Sequence, residues 1–429
     1  GFGVVLHGEP VPTPLLAFTV RSEGCVAGVM ITASHNPKGD NGYKLYLGDG
    51  AQILPNQATQ IEAEIARNLD VWECVDTARL GFDEVCRRDN VFTALSEPLK
   101  ARYLDAIAAA FHHNPEPLNK DLPQFVYTPV HGVGSELMSR AAGRFGFRPY
   151  APVPRQKDMD PEFSSVPFPN PEEKGVLDLA MEAADALDAD RGLVIANDPD
   201  ADRLAVAEKV DGKWHLFTGN ELGILLAGWL WEQRDKTVAP EKYAMLTTAV
   251  SSKMLKTFAD HAGFQFFETL TGFKWMSHVA MEKEALGLRV LFSFEEALGY
   301  MPGTTVLDKD GISSACLALS LAAHLHASHS SLTQHLLATS RTLGFHLSHN
   351  GYLRTPSPTT FPCILAALRT NGIILPPQNT PPPFRLASMR DLAAGKDSGE
   401  PGGRTALPDV GEEMVTWRFV GEVGGREVQ

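Results

Sequence analysis

Five short apolar runs recur along the chain: GCVAGVMI (24–31), QFVYTPV (124–130), RGLVIAN (191–197), YAMLTTAV (243–250) and LRVLFSF (288–294). Each is brief, rich in β-branched residues and followed by a polar or glycine-bearing stretch, the pattern of a buried strand. Between them lie longer segments with helical spacing of apolar residues: QATQIEAEIARNL (57–69), SELMSRAAGRFG (135–146), GVLDLAMEAADALDA (175–189), GNELGILLAGWLWEQ (219–233) and SACLALSLAAHLHA (314–327). Strand and helix alternating this often predict α/β units with mostly parallel sheets. In such sheets reactive loops gather at the carboxyl ends of strands.

LSEPLKARYLDAIAAAF (95–111) reads as a linking helix, and WEQRDKTVAPEKY (231–243) as a charged break. Beyond about residue 345 the periodicity frays. LPPQNTPPPF (375–384) and AAGKDSGEPGGR (393–404) read as irregular loops. Composition, at 44% hydrophobic and 21% charged residues over 429, is that of an ordinary globular protein. The net charge of −14 argues against nucleic acid or an anionic membrane as partner. An anionic ligand would need local cations and backbone N–H groups. No apolar stretch approaches the roughly 20 residues of a membrane span, and the N-terminus lacks signal-peptide regions. The five cysteines show no CxxC spacing, which fits a reducing, cytoplasmic setting.

Two polar loops carry the candidate chemistry. In TASHNPKGDNGYK (32–44), Ser34, His35 and Asn36 precede a glycine-rich bend that ends at Lys44. In LVIANDPDADR (193–203), Asp198, Asp200 and Asp202 alternate directly after a strand, where carboxylates can converge on one hard divalent cation such as Mg²⁺. An EF-hand counted from Asp198 would need glycine and glutamate where Arg203 and Lys209 stand. A DxDx(T/V) phosphatase would want threonine or valine where Asp202 stands. The aspartates are therefore read as ligands and Ser34 as the nucleophile. Its hydroxyl needs a base or metal for activation, and once phosphorylated it could itself hold the cation. Asn36 and His35 could bond phosphate oxygens. Lys44 could act as an electrostatic clamp or as a proton shuttle of lowered pKa. Alone, Ser34 would pass for a turn serine and His35 for a solvated loop histidine.

TASHNP with NGYK, together with NDPDADR, resembles the α-D-phosphohexomutase superfamily. VYTPVHGVG, QKDMDPEFSSVPFPNPEEKG, ETLTGFKWM and FEEALGYM narrow the resemblance to its eukaryotic phosphopentomutase and phosphoglucomutase-2-like branch. The similarity runs from about residue 4 to about 345, with weaker echoes to about 419. It implies several consecutive α/β domains with mixed, mostly parallel sheets around a central cleft, plus a partial C-terminal α+β domain. The expected divisions are 1–94 (phosphoserine loop), 95–235 (metal loop), 236–345 (sugar loops) and 346–429. By resemblance, Ser34 is the phosphoserine, which binds one Mg²⁺ with Asp198, Asp200 and Asp202. Lys44, His35 and Arg203 serve the transferring group. Thr271, Gly272, Lys274, Glu296 and Asn36 bind substrate. A sugar bisphosphate would act as activator. The implied reaction is phosphosugar mutation, on ribose or deoxyribose phosphates, on glucose phosphates, or on both, by a monomer whose partners are small sugar phosphates.

The sequence departs from the family pattern in three places. A GTAGLR-like loop and an R-x-S-G-T-E-P phosphate loop are absent, so the first and fourth domains are expected to be incomplete. That leaves open a second reading, a non-catalytic relative that binds sugar phosphate or a partner without turnover. A metal-dependent phosphatase would need water at the phosphoserine, which no residue selects for. Finally, Leu298 replaces the serine of the hexose enzymes' Gly-Glu-x-Ser-Gly pattern. Loss of that hydroxyl is expected to weaken discrimination in favour of a hexose.

Overall fold

A computed structural model describes residues 3–70, 91–92, 96–114, 116–188, 190–349, 351, 355, 357, 359–371, 385–408, 414–423 and 426–428. The loop read at 375–384 lies outside them. The chain divides into two compact units, Gly1–Leu347 and Ser348–Gln429.

The first unit opens with β1 (Val4–Val5), β2 (Ala27–Ile31), β3 (Tyr43–Leu47) and β4 (Val91–Phe92). β1 pairs parallel with β4, and β2 pairs antiparallel with β3, setting Met30 opposite Lys44. β2 was expected to be buried; instead its residues alternate between exposed and half-buried, with Ile31 66% exposed. Its one partner among the described strands is β3.

A five-stranded sheet follows, built from β5 (Val126–Thr128), β6 (Ala151–Pro152), β7 (Gly192–Ala196), β8 (Ala205–Val210) and β9 (Lys213–Leu216) in the order β6-β5-β7-β8-β9. Its first three strands are parallel; β8 and β9 run antiparallel to their neighbours. The reversal at β8 is forced by length, since only residues 197–204 join it to β7 and a parallel crossover takes about a dozen. The acidic loop is therefore a hairpin connection at the carboxyl end of β7.

The third sheet, in the order β11-β10-β12-β13, comprises β10 (Tyr243–Thr248), β11 (Gln265–Thr269), β12 (Arg289–Glu295) and β13 (Gly299–Pro302). β10 runs parallel to both β11 and β12, and β13 closes an antiparallel hairpin. The helix Gly219–Gln233 is apolar around most of its circumference and is correspondingly buried. It packs on β12, close enough that a side chain at Gly223 would strike the Phe294 ring. The helix Gly311–Ala327 is buried along nearly its whole length. Its N-cap, Asp310, accepts from the Ile312 and Ser313 amides at 3.0 Å each and from the Tyr103 hydroxyl at 2.8 Å.

Asp310 therefore closes the helix and ties it to the long helix Ser96–Phe111. Asp310→Ala removes an N-cap, worth about 1 kcal/mol, and orphans a buried tyrosine hydroxyl at a further ~1–3 kcal/mol. The expected result is a fall in unfolding free energy of about 2–4 kcal/mol, read from the shift in urea midpoint at unchanged slope.

In the second unit the helix Thr360–Asn371 accompanies an antiparallel sheet of β14 (Arg385–Asp391), β15 (Lys396–Asp397), β16 (Val415–Val423) and β17 (Arg426–Val428). Arg369 holds Asp391 through two hydrogen bonds, at 2.7 and 3.0 Å. The stretch read as the irregular loop 393–404 is largely turns around β15.

Candidate active site

Two loops more than 150 residues apart in sequence meet in the first unit. The Ser34 hydroxyl donates to Asp198 Oδ2 at 2.6 Å, from a turn held by a 2.9 Å bond between the Ser34 amide and Thr32 Oγ1. Lys44, on β3, donates to Asp200 Oδ2 at 2.7 Å and to Asp202 Oδ2 at 2.8 Å. Asp200 Oδ2 also accepts from Thr13 Oγ1 at 2.7 Å. Because the acidic loop follows a buried strand, the three aspartates are only 0, 4 and 0% exposed. Ligand oxygens from all three lie within 4.8 Å of one another.

Burying three carboxylates together is costly unless cations or hydrogen bonds offset the charge. Burial, reinforced by Asp200 and Asp202, pushes the Asp198 carboxyl well above its ordinary range. Burial also raises Asp200, but Lys44 outweighs it and holds that carboxyl below the usual range. Lys44 itself is drawn down by burial, yet Asp200, Asp202 and Asp308 keep it well above its ordinary value. The expected lowering of the Lys44 pKa is therefore not met, because its carboxylate neighbours outweigh desolvation. His35 lies 3.4 Å from Ser34 Oγ, and burial, aided by Arg203, lowers it to about 4, so it is neutral at pH 7. The side chain of Asn36 makes no hydrogen bond to this cluster among the described residues, and Asn36 is exposed.

Arg203 links the acidic loop to the β12–β13 turn. Its amide donates to Asp198 Oδ1 at 2.9 Å and its guanidinium to the Ala297 carbonyl at 2.7 Å. In that turn Glu296 does not face the acidic cluster: its Oε2 accepts from Ser251 Oγ at 2.8 Å. The neighbouring Glu295, buried, lies in the electrostatic field of Lys309 and Arg203, with burial the larger influence on its carboxyl, which is raised. Leu298 is 2% exposed and belongs to the main core, so it presents no face to a sugar. Its side chain is therefore not in a position to weaken discrimination in favour of a hexose, contrary to expectation. Gly272 precedes the helix Phe273–Ala285 at φ 104°, a conformation that favours glycine. Thr271 is exposed beside it, and the Lys274 ammonium stands 5.9 Å from the Trp275 ring centroid.

Sequence reasoning missed the LDKDG segment. Lys309 is 8% exposed and lies 3.3 Å from Asp202 Oδ2 and 3.7 Å from Asp308 Oδ1. Asp308 in turn accepts from Tyr46 at 2.6 Å and from Gln52 at 2.7 Å. A second unforeseen signal is backbone strain. Of the eight non-glycine residues at positive φ among the described residues, five (Ser34, Val130, His131, Ala201 and Leu298) lie on the loops that meet at or support this site. Strain of this kind persists where surrounding contacts fix it, and it clusters at functional sites. Val130 and His131 belong to a loop that grips the acidic one, the Val133 amide bonding the Pro199 carbonyl at 2.8 Å.

The donor set suits a hard divalent cation. It consists of carboxylate oxygens, and Asp200 Oδ1 and Asp202 Oδ1 are buried without a hydrogen-bond partner. A strained serine against such a cluster, edged by Lys44, Lys309 and Arg203, on consecutive α/β units, defines a centre built to handle phosphoryl groups. Comparison with known proteins agrees. The sequence patterns of phosphoglucomutase/phosphomannomutase alpha/beta/alpha domains I, II and III match residues 1–71, 101–212 and 218–340. The chain is 40% identical to phosphopentomutase of Homo sapiens, over 98% of this chain and 68% of that protein. It is 38% identical to glucose 1,6-bisphosphate synthase of Homo sapiens, over 97% and 67%. To phosphoribomutase of Saccharomyces cerevisiae it is 37% identical, over 95% and 68%. A putative phosphomannomutase from Thermus thermophilus shares the fold, with a TM-score of 0.65 and 23% identity over 80% of this chain and 70% of that one. The chain belongs to the phosphoglucomutase/phosphomannomutase family of phosphosugar mutases.

Proposed function

We propose that this chain moves a phosphoryl group between two hydroxyls of one sugar phosphate through a phosphoserine at Ser34. The observation that carries this reading is the 2.6 Å contact of Ser34 Oγ with Asp198, inside a cluster whose other two carboxylates are bridged by Lys44. In the first half-reaction the bond between Ser34 Oγ and phosphorus breaks, a sugar oxygen takes the phosphoryl group, and the proton of that hydroxyl ends on Ser34 Oγ. After the bisphosphate reorients, the same exchange runs backwards from its other end. A sugar bisphosphate can therefore prime the serine.

Most of the acceleration in such a transfer comes from positioning and charge. Lys44, Lys309 and Arg203 surround the acidic cluster and would stabilise charge spread over the transferring oxygens. His35, neutral, can offer one ring N–H to a phosphate oxygen. Asp198, Asp200, Asp202 and the phosphoserine would hold Mg²⁺, which supplies charge neutralisation at the phosphoryl oxygens. Phosphoserine, at about −2, would offset the charge of the divalent ion, so the two are expected to arrive together. Thr271 and Gly272, on a separate loop, and Lys274, in the first turn of the helix that follows, are candidates for the sugar or its second phosphate. Glu296, half-buried in the turn, and the buried Glu295 near Lys309 are both candidates to meet a ring hydroxyl.

Pentose phosphates are the first substrates to try, since the similar proteins include a phosphopentomutase and a phosphoribomutase. A coupled assay with Mg²⁺ and bisphosphate tests the proposal, comparing kcat/KM for ribose 1-phosphate and glucose 1-phosphate. Isomerisation of either sugar is expected, with the pentose ahead. Binding of both without turnover would overturn the reading in favour of a non-catalytic relative, and release of free phosphate would replace it with a phosphatase.

A further inference from the structure

A cavity of about 280 Å³ opens away from the loops described above, at the opposite end of β12. Its walls come from the end of the helix Ser96–Phe111, the end of the helix Gly219–Gln233 and the amino-terminal residues of β10 and β12. Phe111, Leu230, Tyr243 and Val290 make it chiefly apolar, and Arg234, Arg289 and Asp235 are the charged residues that line it.

The two guanidinium groups differ in their partners. Arg234 stacks on Trp231, its guanidinium carbon 3.6 Å from the ring centroid, and donates from Nη1 to the Trp231 carbonyl at 2.6 Å. That interaction caps the helix end, but it uses one of five N–H donors. Arg234 makes no ion pair among the described residues. Arg289 pairs with Asp235 Oδ2 at 3.5 Å, its one ion pair among the described residues, with both side chains about half exposed. The Asp235 carboxylate is already engaged elsewhere, its Oδ1 accepting from the Thr237 amide at 3.0 Å and from the Thr237 hydroxyl at 2.6 Å. The stack on Trp231 fixes the plane of one guanidinium beforehand, which reduces the ordering cost of binding.

Small-ligand sites are commonly concave, mostly apolar and furnished with a few converging polar groups. Arg234, without a carboxylate partner among the described residues, and the loosely paired Arg289 above an apolar floor select a ligand with one planar or tetrahedral oxyanion and a compact apolar body. We infer that this cavity is a second binding site, separate from the phosphoserine centre, for a small organic phosphate or carboxylate.

Phenyl phosphate and benzoate serve as probes for the two oxyanions, with binding followed by amide hydrogen exchange, which locates each event. Protection is expected over 230–236 and 287–291 in the wild type with at least one probe. In Arg289→Ala the midpoint should move up by about tenfold, the loss of one charge-assisted contact. Ala110→Leu keeps both charges but fills the cavity, and should abolish the protection while leaving the unliganded exchange pattern intact. Any response of 32–44 and 197–203 to phenyl phosphate should be the same in all three proteins. The inference is overturned if neither probe protects 230–236 and 287–291, or if both variants respond like the wild type. Either result leaves the mutase reading untouched.

Discussion

Ser34→Ala is expected to abolish mutase turnover, by a factor on the order of 10⁴ or more, because no other hydroxyl in the cluster can carry the phosphoryl group. Thr13 is fully buried with its hydroxyl committed to Asp200 at 2.7 Å, and the Thr32 hydroxyl oxygen is held by the Ser34 amide at 2.9 Å. The cost to stability should be modest by comparison. The substitution removes one hydrogen bond and leaves Asp198 Oδ2 with one partner fewer, about 1–3 kcal/mol. Alanine must also take the positive φ of 52° that serine occupies, so backbone strain nearly cancels between the two proteins. Intact mass after incubation with sugar bisphosphate gives a readout independent of turnover. Wild-type protein should gain one phosphate, and Ser34→Ala none. An alanine protein that turned over at more than a trace, or took up phosphate elsewhere, would end the assignment of Ser34.

Much of this centre can be read from residue order, for a physical reason. Strand signals are local, so the loops that follow strands can be found, and three acids at alternate positions after RGLVIAN stand out as chemistry that no core would tolerate unpaired. What escapes is whatever depends on contact between distant segments. LDKDG carries no such local signal. Only the folded chain shows Asp308 held by Tyr46 and Gln52, Lys309 beside Asp202, and Asp310 capping a helix while accepting from Tyr103. The surroundings of Glu295 and Glu296 escape for a related reason: Glu295 ends β12 in the field of Lys309 and Arg203, while Glu296, in the turn, bonds Ser251. Lys44 shows the limit of arguing from burial alone, since desolvation and its carboxylate partners pull in opposite directions and the partners prevail.

Asp202→Asn should separate the catalytic from the structural role of the acidic cluster. The residue is fully buried and its Oδ2 meets two cations, Lys44 at 2.8 Å and Lys309 at 3.3 Å, while its Oδ1 has no partner. Asparagine preserves the shape and removes the charge. Lys44 keeps Asp200, but Lys309 is left with Asp308 at 3.7 Å, so a buried cation loses its nearer counter-charge. Breaking buried pairs of this kind costs up to about 3–5 kcal/mol, and the retained contacts place the expectation at the lower end. If the cluster also holds the divalent ion, loss of one carboxylate weakens the metal as well. Activity should then fall by about a thousandfold and demand much more Mg²⁺ for its half-maximum, an effect that added stability would not repair. Thermal unfolding with and without Mg²⁺, set beside the Mg²⁺ dependence of turnover, decides the matter. A protein that is merely less stable, with its Mg²⁺ requirement unchanged, would show that Asp202 serves the lysines and not the metal.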